Sequence, residues 1–265
     1  MKNDIFNLLT QEYQLKLVIN QSDISKLKDI RSRTLLKVYE KQTHIEDVEH
    51  FLYNQDDEQS FNYILTHTAS NSVVGTIRLY FVNDKTPLQQ IPMQIYGKVQ
   101  DIQHLVDQHP VCEISRLALA RELPKHDTLS ALRLRTYLTI GLFSTVSSNI
   151  FLYKYKNVFS IMEPALHRLL TRQGVDFKCI GKGVEYFGER FPHIISREKL
   201  ITKTNDALLD ISMFYLKQLV SNPKNFIEYI NNHPYLSRDD VMIDKLIDIF
   251  KTNPDVTVEE LLRLT

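Results

Sequence analysis

Over residues 1–198 the hydrophobic pattern switches repeatedly between period two and period 3.6. A chain that does this folds as a sheet with interleaved helices, not as a bundle, sandwich or solenoid. Tyr13 to Ile19 alternates as a half-buried strand, and Ser22 and Asp23 offer N-caps to a helix predicted to run to about Tyr39. Phe61–Thr66 and Ser72–Val82 read as paired strands around an Ala69-Ser70-Asn71 turn, and residues 83–110 read as irregular. Val111–Leu119 is the next strand. Asp127 or Thr128 caps a helix predicted to reach about residue 150, and Val158–Met162 is a short strand. Pro164 opens a helix ending at Gly174, and further strands run to Tyr186. The order β, α, β, β, β, α, β, α, β predicts an α/β fold with a central mixed sheet flanked by helices.

Glycine sharpens the division. All seven glycines fall between Gly75 and Gly188, so tight backbone geometry is confined to the middle of the chain. Residues 201–265 hold none, carry seven basic and ten acidic residues, and show helical periodicity at Ala207–Leu216 and Val241–Phe250, punctuated by Pro223, Pro234 and Pro254. The expected organisation is an α/β domain over 1–198 and a helical C-terminal extension over 199–265.

The 265 residues carry 32 basic and 32 acidic side chains, a net charge of zero, which argues against a dedicated nucleic-acid binder. Two cysteines, Cys112 and Cys179, make neither a disulfide framework nor a zinc site, and nine scattered histidines show no metal-ligand spacing. Thr136–Tyr153 is uncharged over 18 residues but holds seven Ser, Thr or Asn side chains, so it reads as a buried helix and not a membrane span. With no signal-like N-terminus, the expected location is the cytoplasm.

The chemistry-bearing residues cluster on the strand around Glu113. Glu113 and Ser115 are two apart, on one face and roughly 6.5 Å apart along the chain. A half-buried carboxylate there has a raised pKa and suits base work near neutrality, with the Ser115 hydroxyl orienting a water or donating to a leaving sulfur. Alternatively, Glu113 pairs with Arg78 or Arg116 to hold the sheet. Arg78 and Arg116 sit in apolar strands and must meet an anion or carbonyls, either on a substrate or on Asp57, Glu113 or Glu163. Glu163 is a second candidate acid at a strand end, or the N-cap of the helix opened by Pro164. Tyr186 is a candidate hydrogen-bond donor to an acceptor, or a sheet tyrosine. From Arg116 to Arg135 five basic residues face two acidic ones. Arg121, Lys125 and Arg133 would then form a basic edge for an acidic carrier protein, or simply a solvated helix start.

Four ordered motifs carry a family resemblance over residues 25–195. Glu113-Ile114-Ser115-Arg116 resembles the Glu-x-Ser-Arg strand of acyl-homoserine-lactone synthases and long-chain N-acyl amino acid synthases, which have the GNAT fold. Val74-Gly75-Thr76-Ile77-Arg78-Leu79, Met162-Glu163-Pro164-Ala165-Leu166-His167-Arg168-Leu169-Leu170 and Val184-Glu185-Tyr186-Phe187-Gly188-Glu189-Arg190 resemble motifs of the PEP-CTERM/exosortase-associated acyltransferases. The resemblance implies an N-acyltransferase of GNAT-like fold with no tightly bound cofactor. It would move a fatty acyl group from a carrier thioester, acyl carrier protein in preference to coenzyme A, to an amino acid or similar amine. The resemblance implies catalytic roles for Glu113, Ser115 and Arg116, and substrate binding by Arg33, Asp57, Arg78, Glu163 and Tyr186. Asp57 and Ser60 keep part of the family's acidic stretch, and Arg31 fits the first-helix arginine as well as Arg33. The basic loop Arg121–Ser130 lacks the glycines that cradle coenzyme A pyrophosphate at a helix N-terminus, which favours a carrier protein. The alternatives are a lactone-forming synthase using S-adenosylmethionine and a non-catalytic module that binds an acyl group or its carrier.

Overall fold

The structure is a computed structural model. It describes residues 2–36, 48–82, 92–99, 111–152, 155–186, 188–221, 223–232, 243–257 and 260–261. Within these, strands β1 (Tyr13–Leu17), β2 (Ser60–His67), β3 (Ser72–Val82), β4 (Val111–Leu119), β5 (Asn157–Met162), β6 (Lys178–Cys179), β7 (Val184–Glu185) and β8 (Glu189–Ser196) form one sheet. Its order is β1-β2-β3-β4-β5-β8-β6, with β7 on β8. Only the β4–β5 pairing is parallel among these strands, and its crossover is the long helix Ala131–Leu152.

That helix is buried from Leu134 through Ile150 apart from partly covered turns, and most of its hydroxyls bond back to its own carbonyls, the buried Ser144 hydroxyl being left without a partner among the described residues. Thr145 donates to the Gly141 carbonyl at 3.0 Å and Ser147 to the Phe143 carbonyl at 3.0 Å, while Asn149 accepts from the Tyr63 hydroxyl at 2.9 Å. This is how the uncharged part of the helix, with its many polar side chains, fits a core. Among the described residues no helix is long and apolar enough to cross a membrane. The helix Asp206–Ser221 packs beside it, its Leu208, Ile211 and Leu216 in the same core. The opposite face of β2 and β3 is covered by the helix Gln21–Arg31 through Leu27 and Ile30 against Ile64 and Val73.

Several elements differ from the pattern-based expectation. The helix Gln21–Arg31 is capped by Asn20, whose side chain accepts from the Asp23 N–H at 3.0 Å, while Asp23 itself is buried against Lys16 at 2.8 Å. It ends as an α-helix at Arg31 and widens into π-helical turns over Ser32–Leu36; residues 37–47 lie outside the described residues. The expected irregular stretch 83–110 also lies largely outside them, but Pro92–Gly97 is a helix. Strand β8 is the main addition. It lies between β5 and β6, although Pro192 within it argues against a central strand by pattern alone. β6 is short, and Pro192 supplies only its carbonyl there, accepting from the Ile180 N–H at 2.9 Å.

Gly174 closes the helix Pro164–Thr171 with φ +80°, and a Cβ there would stand 2.1 Å from the Lys203 carbonyl oxygen. Both the left-handed backbone and a backbone neighbour oppose a side chain. Gly174→Ala is therefore expected to cost about 2–4 kcal/mol, read as a lower urea midpoint at unchanged slope.

Candidate active site

The site is built where β4 changes partners. Its ladder to β5 runs only through Val111↔Asn157, Cys112↔Val158 and Glu113↔Phe159. Beyond it the Ser160 hydroxyl, not a backbone amide, meets the Ile114 carbonyl at 3.0 Å. On its other edge β4 pairs Ser115 with Arg78 and Ala118 with Thr76, so Arg116 and Leu117 oppose Ile77 alone. This β-bulge puts Arg116 at φ +55°, a strained conformation for a non-glycine residue. Splay on one edge and bulge on the other turn the side chains of residues 113–117 toward a cleft of about 920 Å³, its open mouth included.

Glu113 lines this cleft at 2% exposure, with Oε2 accepting from the Met93 N–H at 2.8 Å. That amide belongs to the first turn of the helix Pro92–Gly97, where N–H groups are free to take an anion. Burial raises the Glu113 carboxyl to about 7; Arg78 and the Met93 amide work against the rise, and Asp56 adds to it. Arg78 donates from Nε to the Ser115 hydroxyl oxygen at 2.9 Å, which aims the hydroxyl's own proton elsewhere. Glu113 and Ser115 thus share the cleft.

Asp57 is fully enclosed. Its Oδ1 meets Arg31 at 2.9 Å and Arg78 at 3.3 Å, and its Oδ2 accepts from the Asn54 N–H at 3.1 Å in a capping box. Burial alone would raise its carboxyl, but Arg31, Arg78 and Arg116, with the Asn54 amide, hold it at about 2. Arg31 also donates to the Leu52 carbonyl and to Asn62 Oδ1. Burial, with Arg116 and Arg78 nearby, lowers Arg31 to about 10 despite Asp57. The two partners move down for different reasons: burial disfavours the Arg31 charge, with the neighbouring arginines adding to it, whereas the three guanidinium groups around Asp57 overcome the burial that would raise it.

Arg116 reaches the cleft with its guanidinium 4.8 Å from the Phe51 ring, a cation–π contact. Tyr186 lines the mouth, stacked on Tyr96 at 4.4 Å. Other expected residues lie elsewhere. Arg33 is half-exposed and pairs with Asp29 at 2.7 Å, while Arg31, two residues earlier, reaches Asp57. Glu163 occupies the N-cap position before Pro164, but its exposed carboxylate makes no capping hydrogen bond and does not line the cleft. Arg121 and Lys125 line a separate depression with Arg135, and Arg133 projects from the exposed first turn of the long helix.

Three cleft residues escaped the sequence reading: Tyr96, Asp56 and Arg190. Asp56 was within reach, adjacent to Asp57; Arg190 closes the Val-Glu-Tyr motif, and its Nε donates to the Tyr186 carbonyl at 2.8 Å. Tyr96 sits in a stretch whose pattern gave no signal. The cleft's lining also has an apolar part, which includes Leu117, Phe143, Leu166 and Leu170.

An α/β sheet of this order, splayed beside a buried acid, is a GNAT-like acyltransferase fold. The autoinducer synthase family matches residues 16–191, about two thirds of the chain; the chain belongs to that family and is an acyltransferase. FeeM, an N-acyl amino acid synthase from uncultured soil microbes, superposes with a TM-score of 0.50 at 14% identity, covering 74% of this chain and 96% of that one. TofI, in a ternary complex with an inhibitor and MTA, superposes with a TM-score of 0.51 at 15% identity, covering 75% and 96%. At such identities these structures establish the fold alone. No curated protein matches the chain.

Proposed function

We propose that the protein transfers a fatty acyl group from a carrier thioester to the amine of an amino acid or similar acceptor. The single observation that carries this reading is a cleft whose lining brings together a buried carboxyl raised to about 7, three arginines (Arg78, Arg116 and Arg190) and an apolar set of side chains. A carboxylate-bearing amine suits the surplus positive charge of Arg78 and Arg116, with Tyr186 beside it. Glu113 takes the ammonium proton. The amine nitrogen then attacks the thioester carbonyl, the C–N bond forms, the C–S bond breaks, and the thiol leaves with a proton. Ser115, already accepting from Arg78, is free to donate to the departing sulfur. The strand edge exposed by the β4–β5 splay offers backbone N–H groups to the oxyanion, and the apolar wall accommodates the chain. Arg121, Lys125 and Arg133 supply a basic surface for an acidic acyl carrier protein.

The test is mass spectrometry of the protein incubated with acyl carrier protein loaded with chains of several lengths and mixed amino acids. An N-acyl product is expected, and its absence from folded protein would overturn the reading. The family match favours a second reading, lactone formation from S-adenosylmethionine; release of methylthioadenosine with an acyl lactone would establish it instead.

A further inference from the structure

The family match ends at residue 191, yet a helix beyond it touches Ser60, four residues after the cleft-lining Asp56. In the helix Lys224–Asn232, the Tyr229 hydroxyl donates to the Ser60 carbonyl at 2.6 Å. The same helix clamps Phe61, whose ring lies 5.4 Å from Phe226 and 5.2 Å from Tyr229. Ser60 is the residue through which the acidic turn Gln55–Glu58 enters β2. Its hydroxyl donates to the Asp56 carbonyl at 2.6 Å, and Asn62 donates to the carbonyls of Asp57 at 2.7 Å and Ser60 at 3.3 Å. Asp56 lines the cleft and Asp57 holds Arg31 and Arg78, so a shift of Ser60 moves both acids. Burial, with Tyr53, Tyr63 and Asp57 nearby, pushes the Tyr229 phenol above its ordinary range and keeps it a donor at any working pH.

We infer that Tyr229 is a positioning residue: through its bond to the Ser60 carbonyl, the C-terminal extension fixes the turn carrying Asp56 and Asp57 and thereby tunes acceptor binding. The effect on the acceptor rests on the function proposed above, whereas the hold on the turn does not.

Tyr229→Phe removes the hydroxyl and keeps the ring, while Phe226→Leu loosens the ring packing and keeps the hydroxyl. Amide hydrogen exchange at Asp57, Glu58 and Gln59, which bond back to Asn54 and Asp56, reads the turn directly. In Tyr229→Phe these three amides are expected to exchange about tenfold faster with β3 and β4 unchanged. The acceptor KM should rise about fivefold, with kcat and donor KM within about twofold of the parent. Phe226→Leu should lower Tm and leave acceptor KM at the parent value. Parent-like exchange at the three amides in Tyr229→Phe would overturn the inference, whatever the activity. Faster exchange in a protein that acylates no amine would uphold the hold on the turn and overturn the proposed function instead.

Discussion

Glu113→Gln is expected to lose about 10²–10⁴-fold in kcat while folding normally and gaining stability above neutral pH. The glutamine retains an oxygen for the Met93 N–H, so the geometry of β4 and the helix Pro92–Gly97 is preserved. It cannot take a proton from an ammonium group. The parent's kcat/KM should climb through about pH 7 as Glu113 ionises, and the variant's residual activity should lack that limb. Stability runs the other way. The folded-state pKa, about 7, lies above the ordinary 4.5, so the carboxyl favours folding only while protonated. The parent's stability falls between about pH 4.5 and 7 and stays low above that. At pH 8 the variant should be more stable by about 3 kcal/mol, and near pH 4.5 the two should converge. Urea midpoints at the two pH values measure this. A sheet-holding ion pair would give the opposite sign, with Glu113→Gln losing stability at pH 8. A buried acid that costs stability when charged is the mark of a group kept for chemistry.

The sheet was legible because its central strands are long and strongly patterned. The β3 and β4 ranges and the turn at Ala69–Asn71 survive in the structure, and the crossover helix was legible from its charge-free run after Arg135. The same holds for the Glu113-x-Ser115-Arg116 cluster, whose two-residue spacing placed Glu113 and Ser115 together. Pattern failed where tertiary contacts decide. Strand β8 contains Pro192, which demotes it by local rules, yet only one of its edges carries a long ladder. Asn20 outcompeted Ser22 and Asp23 as cap because Asp23 was drawn into the core by Lys16.

The choice between Arg31 and Arg33 is a further instance. Both lie near the end of one helix, and sequence spacing alone does not say which turns inward. The widening into π-helical turns after Arg31 leaves it facing β2 and Asp57, and Arg33 falls back on Asp29 at i−4. No residue type announces a π turn. The C-terminal helices were equally legible as helices and equally silent about their target, since the bond from Tyr229 to Ser60 joins residues 169 positions apart.

Asp57→Asn should be among the most destabilising single changes in the molecule, costing about 3–5 kcal/mol. The side chain is the shared counter-ion of Arg31 and Arg78, which are 0% and 3% exposed. An asparagine offers them one neutral oxygen and turns an amide toward a region already rich in positive charge, so two buried cations lose their anion. Arg31 has no slack to absorb this, because its Nε already lacks a hydrogen-bond partner. The pH dependence follows from the sign of the shift. Asp57 titrates near 2 in the folded state against an ordinary 3.8, so its contribution is complete above about pH 4 and disappears as pH falls toward 2. The parent should therefore show an acid-unfolding step in that window that Asp57→Asn lacks. Replacing Arg31 by Met in the same chain removes one orphaned cation, so the double variant should be more stable than the sum of the single changes by more than about 1 kcal/mol. Additive losses would mean the charges are screened by water and the cluster is not the closed unit its distances describe. Because the Arg78 Nε–H donates a hydrogen bond to the Ser115 hydroxyl while Asp57 holds the other end of the guanidinium, Asp57→Asn should also lower kcat even at pH 8, where the surviving folded protein can be assayed. Stability and turnover should fail together there, as they do not in Glu113→Gln, because Asp57 holds the arginines in place whereas the role proposed for Glu113 is to take the proton.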